Sequence, residues 1–168
     1  MKVPVSTVGP AVPGHASPEA GFEAPFELLT ACHERVHRML RLLDRLQQHL
    51  AERGWDGQAA DAARDVMRYF DLAAPLHHED EELHVFPPLL AQGDDSVCAV
   101  VRRLQADHQA MERAWPPARA LLQEVAQAAS PKAWAGWDAA ALQTLADFRG
   151  RYGDCLLYTS PSPRDLST

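Results

Sequence analysis

The sequence predicts an all-α protein, an up-down bundle of four antiparallel helices. Apolar residues recur at steps of three and four in four long segments, which is the period of an amphipathic helix. The strict alternation of apolar and polar residues that is typical of strands does not occur in these segments. Short connections that contain Gly, Pro or Asp separate the segments, and short connections favour antiparallel neighbours.

The first helix is predicted from about Pro25 to Arg53. Gly54 and Gly57 follow it, and Gly is the residue that most easily adopts the backbone conformation beyond a helix C-terminus. One face of this helix is apolar except for an imidazole and consists of Leu29, His33, Val36, Leu40, Leu43 and Leu50. That face should therefore point into the bundle.

The second helix is predicted from about Gln58 to Leu90. Pro75 lies inside it and has no backbone N–H, so a bend is expected just before residue 77. The face that should be buried carries Val66, Phe70, Ala73, His77, Glu81 and Val85. The neighbouring face, predicted to be solvated, carries Asp71, Pro75, His78 and Glu82.

The third helix follows the turn Gly93-Asp94-Asp95, in which either aspartate is a suitable N-cap. Its apolar face consists of Val97, Val101, Leu104, His108, Met111 and Trp115. Pro116-Pro117 should interrupt this helix before a continuation to about Ala129. The fourth helix begins after Ser130-Pro131 and places on one side Trp137, Ala141, Leu145, Phe148 and Tyr152.

Length and charge limit the classes of function. A chain of 168 residues corresponds to one domain with tails, and residues 1–24 are expected to form a flexible leader that lacks the pattern of a signal peptide. The net charge of -7 argues against nucleic acid and anionic membranes as partners. Three widely spaced cysteines outside any metal or redox motif favour a cytoplasmic location.

The sequence lacks the motifs of the common group-transfer enzymes. Neither a Gly-rich phosphate loop nor a Gly-x-Ser-x-Gly elbow occurs, so phosphoryl, hydride and acyl transfer are not indicated. We predict no catalytic residue.

The buried face of the second helix indicates a metal site. His77 and Glu81 are one helical turn apart, and no Lys or Arg shares their face to pair with the carboxylate. Burying both groups costs several kcal/mol unless each finds a partner, and a metal ion is a partner for both. Histidines on the apolar faces of two other helices, His33 and His108, would lie near the same level. Each of these histidines could instead be a core residue hydrogen-bonded to a carbonyl or a carboxylate.

The residues around these histidines resemble the bacterial hemerythrin-like, or HHE cation-binding, family. The similarity covers about residues 26–154, and its most specific part is His-x-x-x-Glu at positions 77–81 followed by Phe86-Pro87. Cys32-His33-Glu34-Arg35 and Asp107-His108-Gln109 also resemble the family. The resemblance implies a four-helix bundle, residues 25–154, that contains a non-haem di-iron centre.

The family resemblance also implies ligands and a function. The iron ligands would be His33, His77, Glu81 and His108, and Glu81 would bridge the two irons. The protein would bind or sense dioxygen or a related small oxidant, or iron. A protein partner is not implied.

The fourth helix departs from the family pattern. The family supplies a histidine there and a carboxylate four or five residues later, whereas Cys155 occupies the next inward position of this chain. From Cys155 the sequence resembles a translated sequencing adapter, so residues 155–168 are expected to be a non-native tail. We therefore expect a truncated fourth helix and an incomplete di-iron site.

Two other interpretations stay open. Glu34-x-x-His37 and Glu81-x-x-His84 match a motif of ferritin-like di-iron proteins that oxidise or handle iron. They fall on consecutive helices, however, and a solvated face explains Glu34 and His37 better. The second alternative is a metal-free helical module that binds a protein partner and uses its buried polar residues to fix helix register.

Restoring the fourth-helix ligands should strengthen metal binding. A version with Cys155→His and a carboxylate four or five residues later should hold two irons and develop charge-transfer absorption in air. The chain as written should bind less iron and gain less thermal stability from it, because only ligand bound to the native state stabilises a protein. Thermal melts of both versions, with and without ferrous iron under anaerobic conditions, measure this. An equal iron-dependent shift in the two would contradict it.

Overall fold

The computed structural model describes the backbone of residues 25–159 and the side chains of residues 31–153. Within that range the chain forms four helical rods and no strand, so the prediction of an all-α four-helix bundle is confirmed. The expected leader, residues 1–24, lies outside the described residues, as does the end of the expected tail from residue 160 onward.

The first rod is α1, Pro25–Arg53, which has the predicted bounds. Gly54 ends it with a φ of 77°, a left-handed backbone conformation that Gly adopts without steric cost. The Gly54 N–H still donates to the Leu50 carbonyl at 3.1 Å, so one terminal carbonyl of the helix is satisfied. This rod contributes to the core Val36, Leu43 and Leu46, together with the buried imidazole of His33.

The second rod combines α-helix with two short π-helical segments. It consists of α2 (Gly57–Arg68), π1 (Tyr69–Ala73), α3 (Ala74–Asp80), π2 (Glu81–Val85) and α4 (Phe86–Gln92). Asp56 caps its start by accepting the Ala59 N–H at 2.8 Å. The junction residues all have right-handed helical backbone angles, so the five pieces form one continuous rod.

Both π segments lie directly before prolines. At the end of π1 the Ala74 N–H donates to the carbonyl of Tyr69, five residues back, and Pro75 follows. At the end of π2 the Phe86 N–H donates to Glu81 in the same way, and Pro87 follows. A proline cannot donate and clashes with the carbonyl four residues earlier. The wider π turn displaces that carbonyl and so accommodates the proline. At Pro75 this is the place where the sequence predicted a bend.

The π turns change which residues face the core. A π turn contains about one residue more than an α turn, so some of the core-facing positions near each segment differ from those of an uninterrupted α-helix. Ala74 and Phe86 are buried. Their neighbours Ala73 and Val85, which the sequence predicted to face inward, are exposed and half-buried, respectively. The prediction was wrong at these two positions because it assumed an uninterrupted α-helical period.

The third rod is α5, Asp95–Gln127, and it runs through Pro116-Pro117 without the predicted interruption. Asp94 is the N-cap and accepts the backbone N–H groups of Ser96 and Val97 at 2.9 and 3.0 Å. Side chains on both sides of the prolines are anchored to the second rod: Trp115 Nε1 and Arg119 Nε each donate to Asp71 Oδ1 at 2.9 Å. These contacts hold α5 in place where the prolines remove backbone hydrogen bonds.

The fourth rod is α6, Ala139–Thr159, which begins after Asp138 accepts the Ala141 N–H at 2.8 Å. Its backbone continues five residues past Asp154, so the predicted break of the helix at Cys155 is wrong. The non-native origin of residues 155–168 stays a prediction.

The rods pack so that each neighbour in sequence is a neighbour in space. The first rod contacts the second, the second contacts α5, and α5 contacts α6. An ion pair between Arg149 Nη1 on α6 and Asp44 Oδ1 on α1, at 2.6 Å, links the last rod to the first. The enclosed core includes Phe70, Leu122, Leu145 and Phe148. Among residues 25–159, no helix has an apolar stretch that would reach across a bilayer.

Substitutions at two adjacent alanines test the displaced face. Ala74→Leu should reduce the free energy of unfolding by about 1–3 kcal/mol, because Ala74 is 2% exposed and a larger side chain would overpack the core. Ala73→Leu, at the exposed neighbour, should change it by no more than about 0.5 kcal/mol. Denaturant titration of both variants provides the measurement. The reverse order of effects would show that Ala73, and not Ala74, faces the core.

Candidate metal centre

Five buried polar side chains meet at one level of the bundle. His33 comes from α1, His77 and His78 from α3, Glu81 from the first position of π2, and His108 from α5. The exposed fraction of each is 7% or less. Such groups are seldom fully buried without a partner, so their convergence requires a chemical explanation.

Glu81 lies between the histidines and directs its two oxygens to different ones. Oε1 is 3.8 Å from His33 Nε2 and 3.7 Å from His77 Nε2. Oε2 is 3.1 Å from His108 Nε2. The carboxylate therefore connects a pair of imidazoles on one side with a single imidazole on the other.

The spacing and the unsatisfied nitrogens fit a metal ion. One ligand atom each from His33, His77 and Glu81 lies within 4.8 Å of the others, a separation that one ion can fill. His33 Nε2 and His108 Nε2 are buried without a hydrogen-bond partner among the described residues, which is costly for an imidazole nitrogen. His108 Nε2 lies 3.1 Å from Glu81 Oε2, an ion-pair distance. Imidazole and carboxylate together suit a transition-metal ion.

The electrostatics of the pocket also suit a cation. Burial raises the pKa of Glu81, but the close approach of His108 and His33 outweighs it and lowers that pKa to about 2. Burial lowers the pKa of His77, which keeps this imidazole neutral. An ionised carboxylate and neutral imidazoles are the protonation states that metal binding requires. Burial lowers the pKa of His108, but the neighbouring carboxylates of Glu81 and Glu82 raise it by more, so the net shift is upward.

The sequence of this chain matches a known protein family. A family model described as hemerythrin HHE cation binding domain matches residues 24–150. The chain belongs to this family. The hemerythrin domain is 32% identical over 106 residues to an uncharacterized protein of Haemophilus influenzae. The matched region is 63% of this chain and 61% of that protein, so the chain spans about three fifths of its relative. No match to a solved structure was found.

The hemerythrin domain buries all four side chains that the sequence predicted as ligands. His33, His77 and Glu81 form the compact group, and His108 approaches the second oxygen of Glu81. Their placement is a structural observation, and their role as ligands is a proposal.

The predicted solvated face of the second rod was wrong at two residues next to the centre. His78 is 7% exposed, and its ring stacks on His108 with centroids 4.0 Å apart. Glu82 is half-buried and accepts hydrogen bonds from His108 and Gln105. The sequence signal for this displacement was the position of Pro75 and Pro87, whose effect on helical phase was not anticipated.

Aromatic and apolar side chains surround the centre of this hemerythrin domain. The Phe86 ring lies 5.6 Å from that of His108, and the Tyr152 ring on α6 lies 6.3 Å from that of His78. Phe70 contacts Tyr152 with ring centroids 5.2 Å apart. Met111 is also buried in this core. These side chains limit the access of water to the buried histidines and Glu81.

The residues of the ferritin-like pattern lie elsewhere. Glu34 and His37 on α1 are exposed, as the solvated-face interpretation predicted, and His84 on π2 is exposed as well. Of that pattern only Glu81 is buried, so the described side chains do not assemble a ferritin-like ligand set.

The stability of the metal-free hemerythrin domain should depend on pH through His78. Burial lowers the pKa of His78 to about 3 from an ordinary value of 6.5. Between these values the unfolded chain takes up a proton that the folded chain does not. The free energy of unfolding should therefore fall as the pH falls, by about 1.4 kcal/mol per pH unit once the pH is below about 6.

His78→Phe is the control, because it keeps a ring in the stack but removes the titrating group. Its unfolding free energy should fall less steeply than that of the unchanged protein when both are measured by denaturant titration at several pH values. Parallel dependences would show that His78 is protonated normally in the folded protein.

Proposed function

We propose that this hemerythrin domain binds iron through His33, His77, Glu81 and His108, which are the part of a di-iron centre that this chain supplies, and that the centre binds or senses dioxygen or a related small oxidant, or iron. The observation that carries this proposal is the position of Glu81. Its two oxygens face different histidines, which is how a carboxylate is placed when it bridges two ions.

Each ion would have its own set of ligand atoms. His33 Nε2, His77 Nε2 and Glu81 Oε1 would hold one iron, and their mutual separation within 4.8 Å supports this. His108 Nε2 and Glu81 Oε2 would hold the other. When bound, iron supplies redox chemistry and an open coordination position for a small ligand.

The rest of the pocket would keep these ligand atoms in the protonation states that metal binding needs and would keep water away from them. The low pKa of Glu81 keeps the carboxylate ionised at neutral pH, and the burial of His77 keeps its ring neutral. The apolar surroundings exclude water, so a small uncharged oxidant would enter more readily than a charged solute. The exclusion of water also limits the supply of protons inside the pocket, and this would favour reversible binding of the small oxidant.

The ligand assignment is tested by substitution on the same helices. His77→Ala and Glu81→Gln should each remove most bound iron, because each takes away a ligand from the compact group. His37→Ala is the matched control, since His37 is one helical turn from His33 but exposed. The measurement is iron content after anaerobic loading with ferrous iron and desalting. Equal iron in the unchanged protein and in the three variants would contradict the assignment.

Exposure of the loaded protein to air separates the candidate functions. Absorption that appears in air and disappears on degassing supports reversible binding or sensing of dioxygen. Irreversible oxidation, with iron accumulating beyond two ions per chain, supports a role in iron oxidation or handling. Protein that binds neither iron nor another divalent metal would favour the metal-free partner-binding module.

A further inference from the structure

Beyond the four proposed ligands, we propose that Glu82 is a positioning residue that orients His108, and that Gln105 holds Glu82 in the required place. This inference rests on the proposed function, because it concerns how His108 presents its Nε2 atom to a metal ion. Glu82 itself would not contact the ion.

The geometry places Glu82 behind the ligand. Glu82 Oε1 accepts a hydrogen bond from His108 Nδ1 at 3.1 Å, on the side of the ring opposite to the metal-facing nitrogen. Glu82 Oε2 accepts from Gln105 Nε2 at 2.7 Å. Gln105 and His108 are three residues apart on α5 and so lie on the same face of that helix. One carboxylate is thus held by two donors from one helix.

Two consecutive carboxylates of π2 take part in this arrangement. Glu81 and Glu82 are consecutive residues of π2, yet one reaches the histidine cluster and the other reaches α5 beside it. His108 consequently lies between two carboxylates, with Glu81 3.1 Å from one ring nitrogen and Glu82 3.1 Å from the other.

The hydrogen bond determines which nitrogen carries the proton. A neutral imidazole has one N–H, and the partner of one nitrogen decides which of the two holds it. With Glu82 accepting from Nδ1, the lone pair is left on Nε2, where a metal ion can take it. Without Glu82 the proton would favour Nε2, where Glu81 could accept it. A metal ion would then have to displace that proton before binding.

A surface role does not account for these contacts. The side chain of Glu82 is 34% exposed, but both of its oxygens are engaged by residues of another helix. Glu79, three residues earlier on the same rod, is exposed and has the same charge. Glu79→Ala is therefore the matched control for the loss of one negative charge near the centre.

The first experiment uses metal-free protein and nitrogen-15 NMR of the histidine rings at a pH where they are neutral. In the unchanged protein and in Glu79→Ala, His108 should carry its proton on Nδ1. In Glu82→Ala the proton should move to Nε2, and in Gln105→Ala the Nδ1–H population should fall partly. Glu82→Gln should keep the Nδ1–H form, because its amide oxygen still accepts. An unchanged His108 signal in Glu82→Ala would overturn the proposal.

The second experiment measures affinity with cobalt(II) as the probe ion, followed by its visible absorption. Glu82→Ala should bind about 10- to 100-fold more weakly than the unchanged protein, which is the usual effect of removing a carboxylate behind a metal-bound histidine. Glu82→Gln should lose less, and Glu79→Ala should bind normally. Equal affinities for Glu82→Ala and Glu79→Ala would contradict the proposal. Failure of the unchanged protein to bind cobalt or iron would count against the metal site, while the NMR result would still decide the orientation of His108.

Discussion

The burial of Glu81 is the constraint on which the rest of the bundle depends. An ionised carboxylate in a protein core costs several kcal/mol unless positive charge or hydrogen-bond donors surround it. Here the partners come from three different rods, as His33, His77 and His108. The three rods must therefore meet at one level, and the low pKa of Glu81 shows that their combined effect exceeds the cost of burial.

The prolines of the second rod explain where its two π turns occur. Pro75 and Pro87 remove hydrogen bonds that an α-helix would use, and the chain responds with π turns just before them. The seven-residue segment α3 between these turns carries both His77 and His78. A feature that looks like a helix breaker in the sequence is thus accommodated beside the centre without ending the rod.

Much of the fold could be predicted because it depends on local patterns. The bounds of α1, the Asp94 cap and the burial of the four proposed ligands all follow from helical periodicity and capping preferences. The positions of His78 and Glu82 could not, since they depend on whether a proline bends a helix or is absorbed by a wider turn. The continuity of α5 through Pro116-Pro117 depends likewise on tertiary contacts, those of Trp115 and Arg119 with Asp71.

The π segments also determine how this chain compares with other sequences. Each holds one residue more than the α turn it replaces, so losing a single residue between Tyr69 and Ala73 would leave an ordinary α turn and keep the faces of α2 and α3 aligned. The histidines and Glu81 would then still face their partners on the other rods. An alignment that places a one-residue gap in this region is therefore compatible with the same orientation of the histidine-bearing turn, where the His-x-x-x-Glu motif is intact.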